Sequence, residues 1–393
     1  MRASNALREI EGRSAGYRLL LGALGLVVGV ALAAAWQMHE HGHVVTGMDN
    51  QVVWGMPHVV AVFLIVAASG ALNVASIASV FRREFYKPLA PLSGLTAIAL
   101  LAGGLAVLGL DLGRSDRLVV AMTHYNFKSI FAWNMFLYSG FFALVAAYLW
   151  AMLRRAPDDF SSPIGVAVFI WRLVLTTGTG SIFGFLVARE AYDSALLAPL
   201  FIVLSFAYGT AIYTLVLLAA CRGTGRVLGD EVFARLGGLL AIFVAAALYF
   251  VAVFHLTNLY IARNHGIERF ILAGGEIYTP LFWIGQVALG GVLPLALLLV
   301  PAWKRARFSL PLACAAVVAG GIAQMYVTII GAQAWPIDLF PGMQARSSFF
   351  DGEIHPYAPG ALELLLALGG VAIAGTIVAL GLKLLRVLPV RTG

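Results

Sequence analysis

The sequence predicts an all-α polytopic membrane protein, a single integral membrane domain of about ten transmembrane helices. Of its 393 residues, 61% are hydrophobic and only 11% are charged, whereas soluble domains are about 45–50% apolar and about 25% charged. Apolar runs of about 20 residues or more recur along the chain, the length that crosses a hydrocarbon core of about 30 Å. Such runs are too long for barrel strands, and because unpaired backbone groups are excluded from lipid, they are predicted to be helices.

Charged or turn-forming residues separate ten apolar runs. The predicted spans are about 17–36, 57–80, 89–110, 130–153, 164–187, 196–221, 234–262, 279–300, 310–334 and 361–386. The first run follows three arginines and ends in three alanines, a pattern that cleaved signal peptides also show. We predict an uncleaved first helix, because the orientation derived next requires a span there.

The distribution of basic residues predicts the direction of the spans, because cytoplasmic loops are enriched in Lys and Arg. With the N-terminus inside, the inside segments carry eighteen basic residues and the outside segments carry seven. The sequence therefore predicts that both the N- and C-termini are cytoplasmic, in a bacterial inner membrane. The longer connections, at about residues 37–56, 111–129, 263–278 and 335–360, then lie outside. The expected functional and docking face is periplasmic.

Composition also limits the kinds of site and partner. The two cysteines, Cys221 and Cys314, lie far apart in apolar runs, so we predict no iron–sulfur cluster in this chain. The formal charge of +7 comes without any basic block. Basic residues that flank membrane spans explain this charge, and the expected surroundings are a lipid bilayer and not nucleic acid.

Ionisable residues at the ends of spans are the first candidates for a functional site, because such groups are costly in lipid. Asp111 ends the third span, and Arg114 follows at the spacing of a helical ion pair. His58 begins the second span, directly after a proline, in the same outer layer. Quinol oxidation requires such groups, because one accepts a phenolic proton while another balances the charge. An interfacial ion pair and an interfacial histidine are the plainer alternatives.

The next outside segment adds hydrogen-bonding groups where the fourth span enters the membrane. It runs from His124, a titratable imidazole, through Asn126 to Ser129. Because this segment follows Asp111 closely, we interpret it as a further part of the same candidate site.

The fifth span contains hydroxyl groups and one buried charge. Thr177 and Thr179 belong to a run of threonines and glycines that either packs helices together or lines a ligand. Arg172 lies nearer the inner half, where a guanidinium must meet a carboxylate, carbonyl groups or water. We interpret Arg172 as part of a proton path.

Other polar residues are weaker candidates. The run His39–His43 contains three histidines and could bind zinc or copper, but histidines of flexible loops bind metals adventitiously, and we predict no metal site. His255, with Thr257 and Asn258, forms a polar cluster near the outer end of the seventh span. A haem would require two facing histidines, for which only His58 and His255 are placed, and we predict none. Three further acidic residues are interpreted as interfacial: Glu276, Asp338 and Glu363.

Several motifs resemble one family of membrane proteins. They are Trp54-Gly55 at the start of a helix, Asp111-Leu112-Gly113-Arg114, Asn126 to Ser129 before Trp133-Asn134, and Phe282-Trp283. Over about residues 50–388 the chain resembles the NrfD/PsrC-like membrane subunits. The ten-helix plan is similar to the HybB/DsrP branch. The segment from Asn126 to Asn134 is most similar to DsrP, the membrane subunit of the sulfite-reductase-associated DsrMKJOP complex.

The resemblance implies a core of two four-helix bundles with extra helices, and a subunit without its own redox cofactor. It implies that menaquinone or ubiquinone binds near the periplasmic face, within the first bundle. A periplasmic ferredoxin-like iron–sulfur subunit is the implied electron partner, alongside other membrane and cytochrome subunits of a complex in respiration or sulfur metabolism.

The resemblance also implies roles for individual residues. His58 is implied to be a polar quinone contact, and Asp111 and Arg114 belong to the family's Asp-Leu-Gly-Arg turn. Asn126 and Ser129 match the segment that lines the site. Thr177 and Thr179 fall near the place where some members carry a tyrosine, which is absent from this span.

Our hypothesis from the sequence is a quinone-binding membrane subunit that exchanges electrons with a periplasmic iron–sulfur protein. In this hypothesis His58, Asp111 or His124 accepts protons, and Arg114 orients the carboxylate. The alternative is a secondary transporter with paired helical bundles, which the glycine-rich spans and the buried Arg172 would also suit.

Overall fold

The computed structural model describes residues 7–154, 158–304, 306–337 and 353–390. Some residues used in the predictions lie outside these ranges. They are Arg2, Arg155, Arg305, Arg346 and Arg391, which were counted for the orientation, and Asp338, which was interpreted as interfacial.

Ten helices long and apolar enough to cross a membrane lie within the described residues, which confirms the predicted fold class. In chain order we name them α1 to α10: Ala15–His41, Met56–Ser79, Glu84–Asp111, Ile130–Leu153, Asp158–Gly184, Leu197–Gly223, Asp230–Tyr260, Tyr278–Leu299, Ser309–Ala334 and Ala361–Leu384. Because α1 continues to His41, the histidines at positions 39 and 41 belong to its last turn and not to a flexible loop.

The ends of the ten helices form two faces. Two short strands, β1 (Leu7–Arg8) and β2 (Leu388–Pro389), pair antiparallel and bring the two ends of the chain together. We call the face with both termini the termini face and the opposite one the loop face. The loop face carries residues 42–55, 112–129, 185–196 and 261–277, and the described residues between α9 and α10.

The helices pack as two four-helix bundles. Helices α2 to α5 form the first bundle and α6 to α9 form the second. Helix α2 joins the bundles, because it also packs against α6 and α9 and is almost wholly buried. Helix α10 packs against α1, α2 and α3, while α1 packs mainly against α10. The two terminal helices therefore lie outside an eight-helix core.

Helices α2 and α6 approach each other so closely that no side chain fits between them. A Cβ atom on Gly70 would lie 1.6 Å from the carbonyl oxygen of Ser205, and one on Gly209 would lie 2.1 Å from the backbone of Gly70. Small residues permit such close contact between membrane helices. This crossing holds α2 between the two bundles.

Helix α2 is interrupted at Leu72, past its midpoint towards the termini face. Side chains of neighbouring helices bond the carbonyl groups at the break. The hydroxyl of Ser93 donates to the Ala71 oxygen at 2.6 Å, and Nη1 of Arg172 donates to the Ser69 oxygen at 2.9 Å. A membrane helix tolerates such a break where its neighbours satisfy the freed backbone groups.

Two helices of the second bundle contain π-helical turns. These turns are Leu281–Val292 in α8 and Val327–Gly331 in α9. Such turns often occur at functional sites, because they change the direction of the side chains that follow. The turn in α9 precedes Gln333, whose side chain supports the site described below.

Candidate functional site

A buried histidine and carboxylate lie together on the loop face of the first bundle. Asp111 is the last residue of α3 and is only 4% exposed. His58 stands in the first turn of α2, beside Pro57, whose missing N–H costs no helical hydrogen bond there. The Nδ1 atom of His58 lies 2.9 Å from Oδ2 of Asp111. Two of the residues predicted for the site are thus in contact, and we call them the His58–Asp111 pair.

A second histidine reaches the same carboxylate from the segment after α1. The Nε2 atom of His43 lies 3.0 Å from the backbone oxygen of Asp111 and 3.6 Å from Oδ1. Gly42 turns the chain before it with a φ of 74°, a conformation that favours glycine. The nearby Asp111 side chain raises the pKa of His43, although partial burial opposes the rise. The sequence had suggested His43 only as part of a metal-binding run.

The polar atoms of the pair are poorly satisfied. Within the described part of the chain, both carboxylate oxygens of Asp111 and Nδ1 of His58 lack a well-aligned hydrogen bond. The two side chains are therefore close enough for an ion pair, but their angles do not suit a hydrogen bond. Buried polar groups are normally hydrogen-bonded, because the loss of water is otherwise not offset. The carboxylate thus has acceptor positions for a hydroxyl group of a ligand.

Aromatic rings cover the histidine. The ring of Trp54 stacks on that of His58, with centroids 6.1 Å apart and planes at 26°. Two further rings contact Trp54: Phe131 of α4 at 6.2 Å and Phe183 of α5 at 5.8 Å. These rings form an apolar wall beside the polar pair, and α4 and α5 of the first bundle each contribute one ring.

Gln333 of α9 fixes the backbone beneath this wall. Its Oε1 atom accepts hydrogen bonds from the backbone N–H groups of Val53 and Trp54, each at 3.0 Å, and its Nε2 donates to the Trp54 oxygen at 3.0 Å. Arg189 donates to the backbone oxygens of Gln333 and Gln51, each at 2.7 Å. Burial lowers the pKa of Arg189. The second bundle therefore positions the entrance to α2.

Glu363, in the first turn of α10, is fully buried within the protein and not exposed at the interface. Its carboxylate accepts hydrogen bonds from the N–H of Gly47 at 3.0 Å and from the hydroxyl of Tyr357 at 2.8 Å. The same hydroxyl accepts a hydrogen bond from the N–H of Met56 at 2.8 Å. These bonds tie α10 to the segment that carries His43 into α2.

Arg114 does not pair with Asp111, so the predicted ion pair was wrong. Helix α3 ends at Asp111, and Leu112 is extended, with a φ of −69° and a ψ of 124°. The helical spacing of three residues therefore no longer applies. Arg114 is exposed and forms two hydrogen bonds of 3.0 Å with Asp116. These bonds raise the pKa of Arg114 and lower that of Asp116.

The segment from His124 to Ser129 bonds mainly to itself. His124 is exposed, and its Nδ1 lies 3.0 Å from the hydroxyl of Thr123. Asn126 is also exposed, and its Oδ1 accepts a hydrogen bond from the N–H of Lys128 at 3.0 Å. Ser129 is half-buried and begins α4. Among the described residues, the structure brings none of these three side chains into polar contact with the His58–Asp111 pair.

Thr177 and Thr179 lie on different sides of α5. Thr177 is exposed, whereas Thr179 is buried in the first bundle. The hydroxyl of Tyr138, from α4, interacts with Thr179. Nearby, Asn134 donates to the backbone oxygen of Gly178 at 3.1 Å, while its own side-chain oxygen has no donor among the described residues. Helix α4 therefore supplies a tyrosine in the region where the resemblance implied one on α5.

Arg172 is buried about three helical turns along α2 from the His58–Asp111 pair. Its Nη1 donates to the Ser69 oxygen at 2.9 Å and to Oδ1 of Asn73 at 2.7 Å. The rings of Phe169 and Phe206 lie 5.1 Å and 5.3 Å from the guanidinium. The sequence analysis expected Arg172 to meet a carboxylate, carbonyl groups or water, and the Ser69 carbonyl is such a partner. It belongs to the C-terminal end of a helical segment, where the dipole is negative.

Comparison with known families agrees with this architecture. The family described as "Polysulphide reductase, NrfD" matches residues 44–336, which is most of the chain. The chain belongs to the NrfD family. The matched range contains α2 to α9, so the NrfD core corresponds to the two four-helix bundles. The His58–Asp111 pair and Gln333 lie inside this range, whereas His43 lies just before it.

Individual relatives are similar over nearly their whole length. An "Hdr-like menaquinol oxidoreductase integral membrane subunit" of Archaeoglobus fulgidus is 29% identical, over 98% of this chain and 97% of the relative. A membrane subunit of Halobacterium salinarum that is named for dimethyl sulfoxide reductase is 28% identical, over 93% and 90%. A selenate reductase subunit of Mesobacillus selenatarsenatis is 23% identical, over 94% of each chain.

The second bundle of the NrfD core contains its own histidine–carboxylate pair. The Nδ1 atom of His255 lies 2.7 Å from Oε2 of Glu268, and Asn258 donates to Oε1 at 2.9 Å. Glu268 is only 1% exposed. The sequence had singled out His255 and Asn258 but not Glu268, because Glu268 lies in the segment that follows α7.

Several residues of the candidate site are missed by the sequence predictions because they come from distant parts of the chain. His43, Arg189 and Gln333 reach the site from three different connections or helix ends. One signal was available for Gln333, since an amide side chain within an apolar run requires a polar partner. For His43 and Arg189 only the tertiary structure shows the contact.

Proposed function

We propose that this chain is the quinone-binding membrane subunit of a respiratory or sulfur-metabolism oxidoreductase complex, and that quinol binds at the His58–Asp111 pair. The observation that carries the proposal is a buried carboxylate without an aligned hydrogen-bond donor, between two histidines and next to the ring of Trp54. A quinol offers the missing partners, since its O–H group donates to the carboxylate and its flat ring packs against aromatic side chains.

The chemistry follows from these groups. Oxidation of a quinol to a quinone releases two protons and two electrons. Asp111 takes the proton of the O–H group that it binds and passes it to His58, whose imidazolium the carboxylate then stabilises. Once that proton has left, the same pair takes the second phenolic proton. His43 contacts the same carboxylate, and because 33% of its side chain is exposed, it can pass a proton to water. His124, exposed on the same face, is proposed only as a later proton acceptor.

The ring of the quinol is proposed to lie within the first bundle. Thr179 and Asn134 face this interior, and the free side-chain oxygen of Asn134 could accept the second O–H group. Asn126, Ser129, Thr177 and Arg114 were also predicted to bind quinone. Asn126 and Ser129 lie at the loop face, and we propose that they line the entrance to the quinone site. Thr177 is exposed and Arg114 bonds to Asp116, so neither side chain is supported as a quinone contact.

Electrons are proposed to leave at the loop face. A periplasmic ferredoxin-like iron–sulfur subunit would receive them there, with other membrane and cytochrome subunits completing the complex. This sidedness is supported by the excess of basic residues in the segments of the opposite face. The site also lies close beneath the loop face, which keeps the distance to a docked cluster short.

The names of the relatives support this class of function. The relative from Archaeoglobus is named for menaquinol, which favours menaquinone over ubiquinone as the substrate of this chain. The other two are named for reductases of different compounds, dimethyl sulfoxide and selenate. We infer that catalytic partners, not this subunit, set the terminal substrate. Assignment to the HybB/DsrP branch rests on the ten-helix plan, and the choice of DsrP and of sulfur metabolism rests on the segment from Asn126 to Asn134.

Proton translocation is proposed to involve Arg172. The polar groups around it connect three helices at mid-depth. Thr176 donates to the hydroxyl of Ser69 at 2.7 Å, and Asn73 donates to the hydroxyl of Thr210 at 2.9 Å. These bonds join α5, α2 and α6 in a region otherwise filled by apolar side chains.

A secondary transporter with paired bundles is the second candidate, and one observation favours it. Helix α2 is broken at Leu72, next to the buried Arg172, and transporters often bind substrates at such breaks. In those proteins the freed backbone groups face a cavity, whereas here Ser93 and Arg172 bond them. A transporter would work alone in liposomes, while a quinone subunit would co-purify with an iron–sulfur protein.

Replacement of Asp111 by asparagine tests the proposed site. In the purified complex, Asp111→Asn should slow quinol oxidation by about 100-fold or more, the usual range for loss of acid–base catalysis. Reduction of the iron–sulfur partner by menaquinol is the measurement, and co-purification of that partner shows that the complex still assembles.

The matched control is Asp116→Asn, which removes an exposed carboxylate five residues further on. It should leave the rate of quinol oxidation unchanged. Normal turnover by Asp111→Asn in an assembled complex would place quinol oxidation elsewhere.

A further inference from the structure

A large cavity lies on the side of α2 that faces away from the His58–Asp111 pair. Its volume is about 1910 Å³, and residues of α1, α3, α6, α9 and α10 line it together with α2. Helix α2 contributes Met56, Val60, Phe63 and Leu64, which recur at the spacing of one helical face. His58 is two residues from Met56 and therefore projects from the opposite side of the helix. The cavity is thus separate from the proposed quinol site.

The body of this cavity is apolar. On α10, Leu364, Leu368 and Val371 line it at the spacing of one helical face, with 40%, 56% and 49% of their surface exposed. The hydroxyl of Thr96, opposite, donates to the Leu92 oxygen of its own helix at 2.8 Å and offers no free donor. Such a surface, exposed inside a membrane protein, suits a hydrocarbon chain.

The end of the cavity at the termini face is basic. Its lining includes the basic residues Arg8, Arg13, Arg226, Lys383 and Arg386 and the acidic residues Glu9 and Glu11. Two of the cations have partners: Arg386 pairs with Glu9 at 3.2 Å, and Arg226 donates to the backbone oxygens of residues 388 and 389. Arg8, Arg13 and Lys383 are exposed and form no ion pair with another described residue.

This basic end is an ordered part of the fold. Strands β1 and β2 pair beside it, and the N–H of Ile10 donates to the Leu382 oxygen at 2.9 Å. The side chain of Lys383 packs over Gly12, where a Cβ atom would lie 3.0 Å from its Cδ. The chain termini therefore hold the free cations at the mouth of the apolar cavity.

We infer that this cavity binds an anionic phospholipid from the leaflet at the termini face. The phosphate would lie between Arg13 and Lys383, and an acyl chain would fill the apolar body between α10 and the second bundle. Basic pockets between membrane helices recognise anionic head groups in this way. A transmembrane helix from another protein of the complex could also fill an apolar groove, but it would leave the unpaired cations without an anion. The inference does not depend on the proposed quinone chemistry.

Lipid analysis of the purified full-length chain tests the inference. Mass spectrometry should find phosphatidylglycerol or cardiolipin retained in mild detergent and enriched over phosphatidylethanolamine. The double variant Arg13→Gln, Lys383→Gln should retain less anionic lipid, by about fivefold for each charge removed. Val371→Trp, which fills the cavity and keeps both charges, should also displace the lipid.

The matched control is the double variant Arg83→Gln, Lys304→Gln, which removes two exposed cations of the same face that do not line the cavity. Its anionic lipid should equal that of the parent chain. Equal retention by all variants, or equal loss of anionic and zwitterionic lipid, would overturn the inference. So would cross-linking of Leu368→Cys, in the assembled complex, to a helix of a partner protein.

Discussion

At the scale of single residues, the site depends on a negative charge held where water is scarce. Asp111 is 4% exposed, and the groups that compensate its charge are two imidazoles, from His58 and His43. An imidazole gains and loses a proton near neutral pH, so the net charge of the cluster can change during a reaction. A lysine or arginine in either position would keep its charge and would pair permanently with Asp111. Histidines at positions 43 and 58 are therefore better suited to proton transfer than to a permanent ion pair with Asp111.

The raised pKa of His43 predicts a pH-dependent contribution to stability. Because Asp111 favours the protonated form in the folded chain, this contribution is present below the usual histidine pKa of 6.5 and is lost as the pH rises through the raised value. His43→Gln should therefore destabilise the detergent-solubilised chain more at about pH 6 than at about pH 9. With 33% of the side chain exposed, we expect an effect of at most about 1 kcal/mol.

Thermal unfolding of the parent and variant at both pH values measures this effect. His124→Gln is the control, since His124 is exposed and, among the described residues, its side chain hydrogen-bonds to its neighbour Thr123. A loss of stability by His43→Gln that is the same at both pH values would show that His43 contributes by packing and not by charge.

Site residues could be predicted from the sequence where the backbone stays helical, and not where it turns away from the helix. His58 and Asp111 were predicted because polar groups at the ends of apolar runs are conspicuous. Arg114 was assigned to Asp111 on helical spacing, but the extended conformation of Leu112 removes that spacing. His43 meets Asp111 through the turn at Gly42 and the packing of a long connection, neither of which a pattern of residues reveals.

At the scale of helices, α2 carries most of the functional geometry. It carries His58 in its first turn, crosses α6 backbone to backbone at Gly70, and breaks at Leu72 beside Arg172. The hydropathy of the chain predicted where this helix begins and ends, because lipid requires a long apolar segment. It did not predict the break, since hydropathy averages over the whole run and does not register Ser69, Gly70 and Asn73 within it. The break becomes stable only through Ser93 and Arg172, which other helices supply.

Arg172→Leu distinguishes a proton path from a structural cap of this break. If Arg172 carries protons, the variant complex in proteoliposomes should oxidise quinol but release fewer protons per electron. If Arg172 only supports the Ser69 carbonyl and Asn73 at the break, the ratio should stay constant while stability falls by about 1–3 kcal/mol, the usual loss when a buried polar group loses its partner.

Arg172→Lys is the matched control for this experiment. It keeps a positive charge near Ser69 and Asn73 but loses the planar donor group of arginine. If the lysine variant releases as many protons per electron as the parent complex, the positive charge at position 172 is what proton release requires. An unchanged ratio in the leucine variant would contradict the proton path.

At the scale of the whole molecule, the loop face and the termini face carry different candidate sites. The loop face holds the His58–Asp111 pair, and segments from both bundles and from α10 converge on it through Gln333 and Glu363. The termini face holds β1, β2 and the basic end of the cavity. Charge counting predicted how these faces are oriented in the membrane, because a bias in Lys and Arg can be read without a structure. The pairing of helices into bundles was implied only by family resemblance, since an apolar run does not specify its neighbours.

The orientation predicts which positions react with a reagent that cannot cross the membrane. Cys221 and Cys314 are buried, so an added cysteine should dominate the labelling. In intact spheroplasts, an impermeant maleimide should label Ser115→Cys on the loop face but not Arg83→Cys on the termini face. Both positions are exposed, and lysis of the cells should make Arg83→Cys reactive. The reverse pattern would place quinol oxidation at the cytoplasmic surface, and the electron partner would then have to be a cytoplasmic protein.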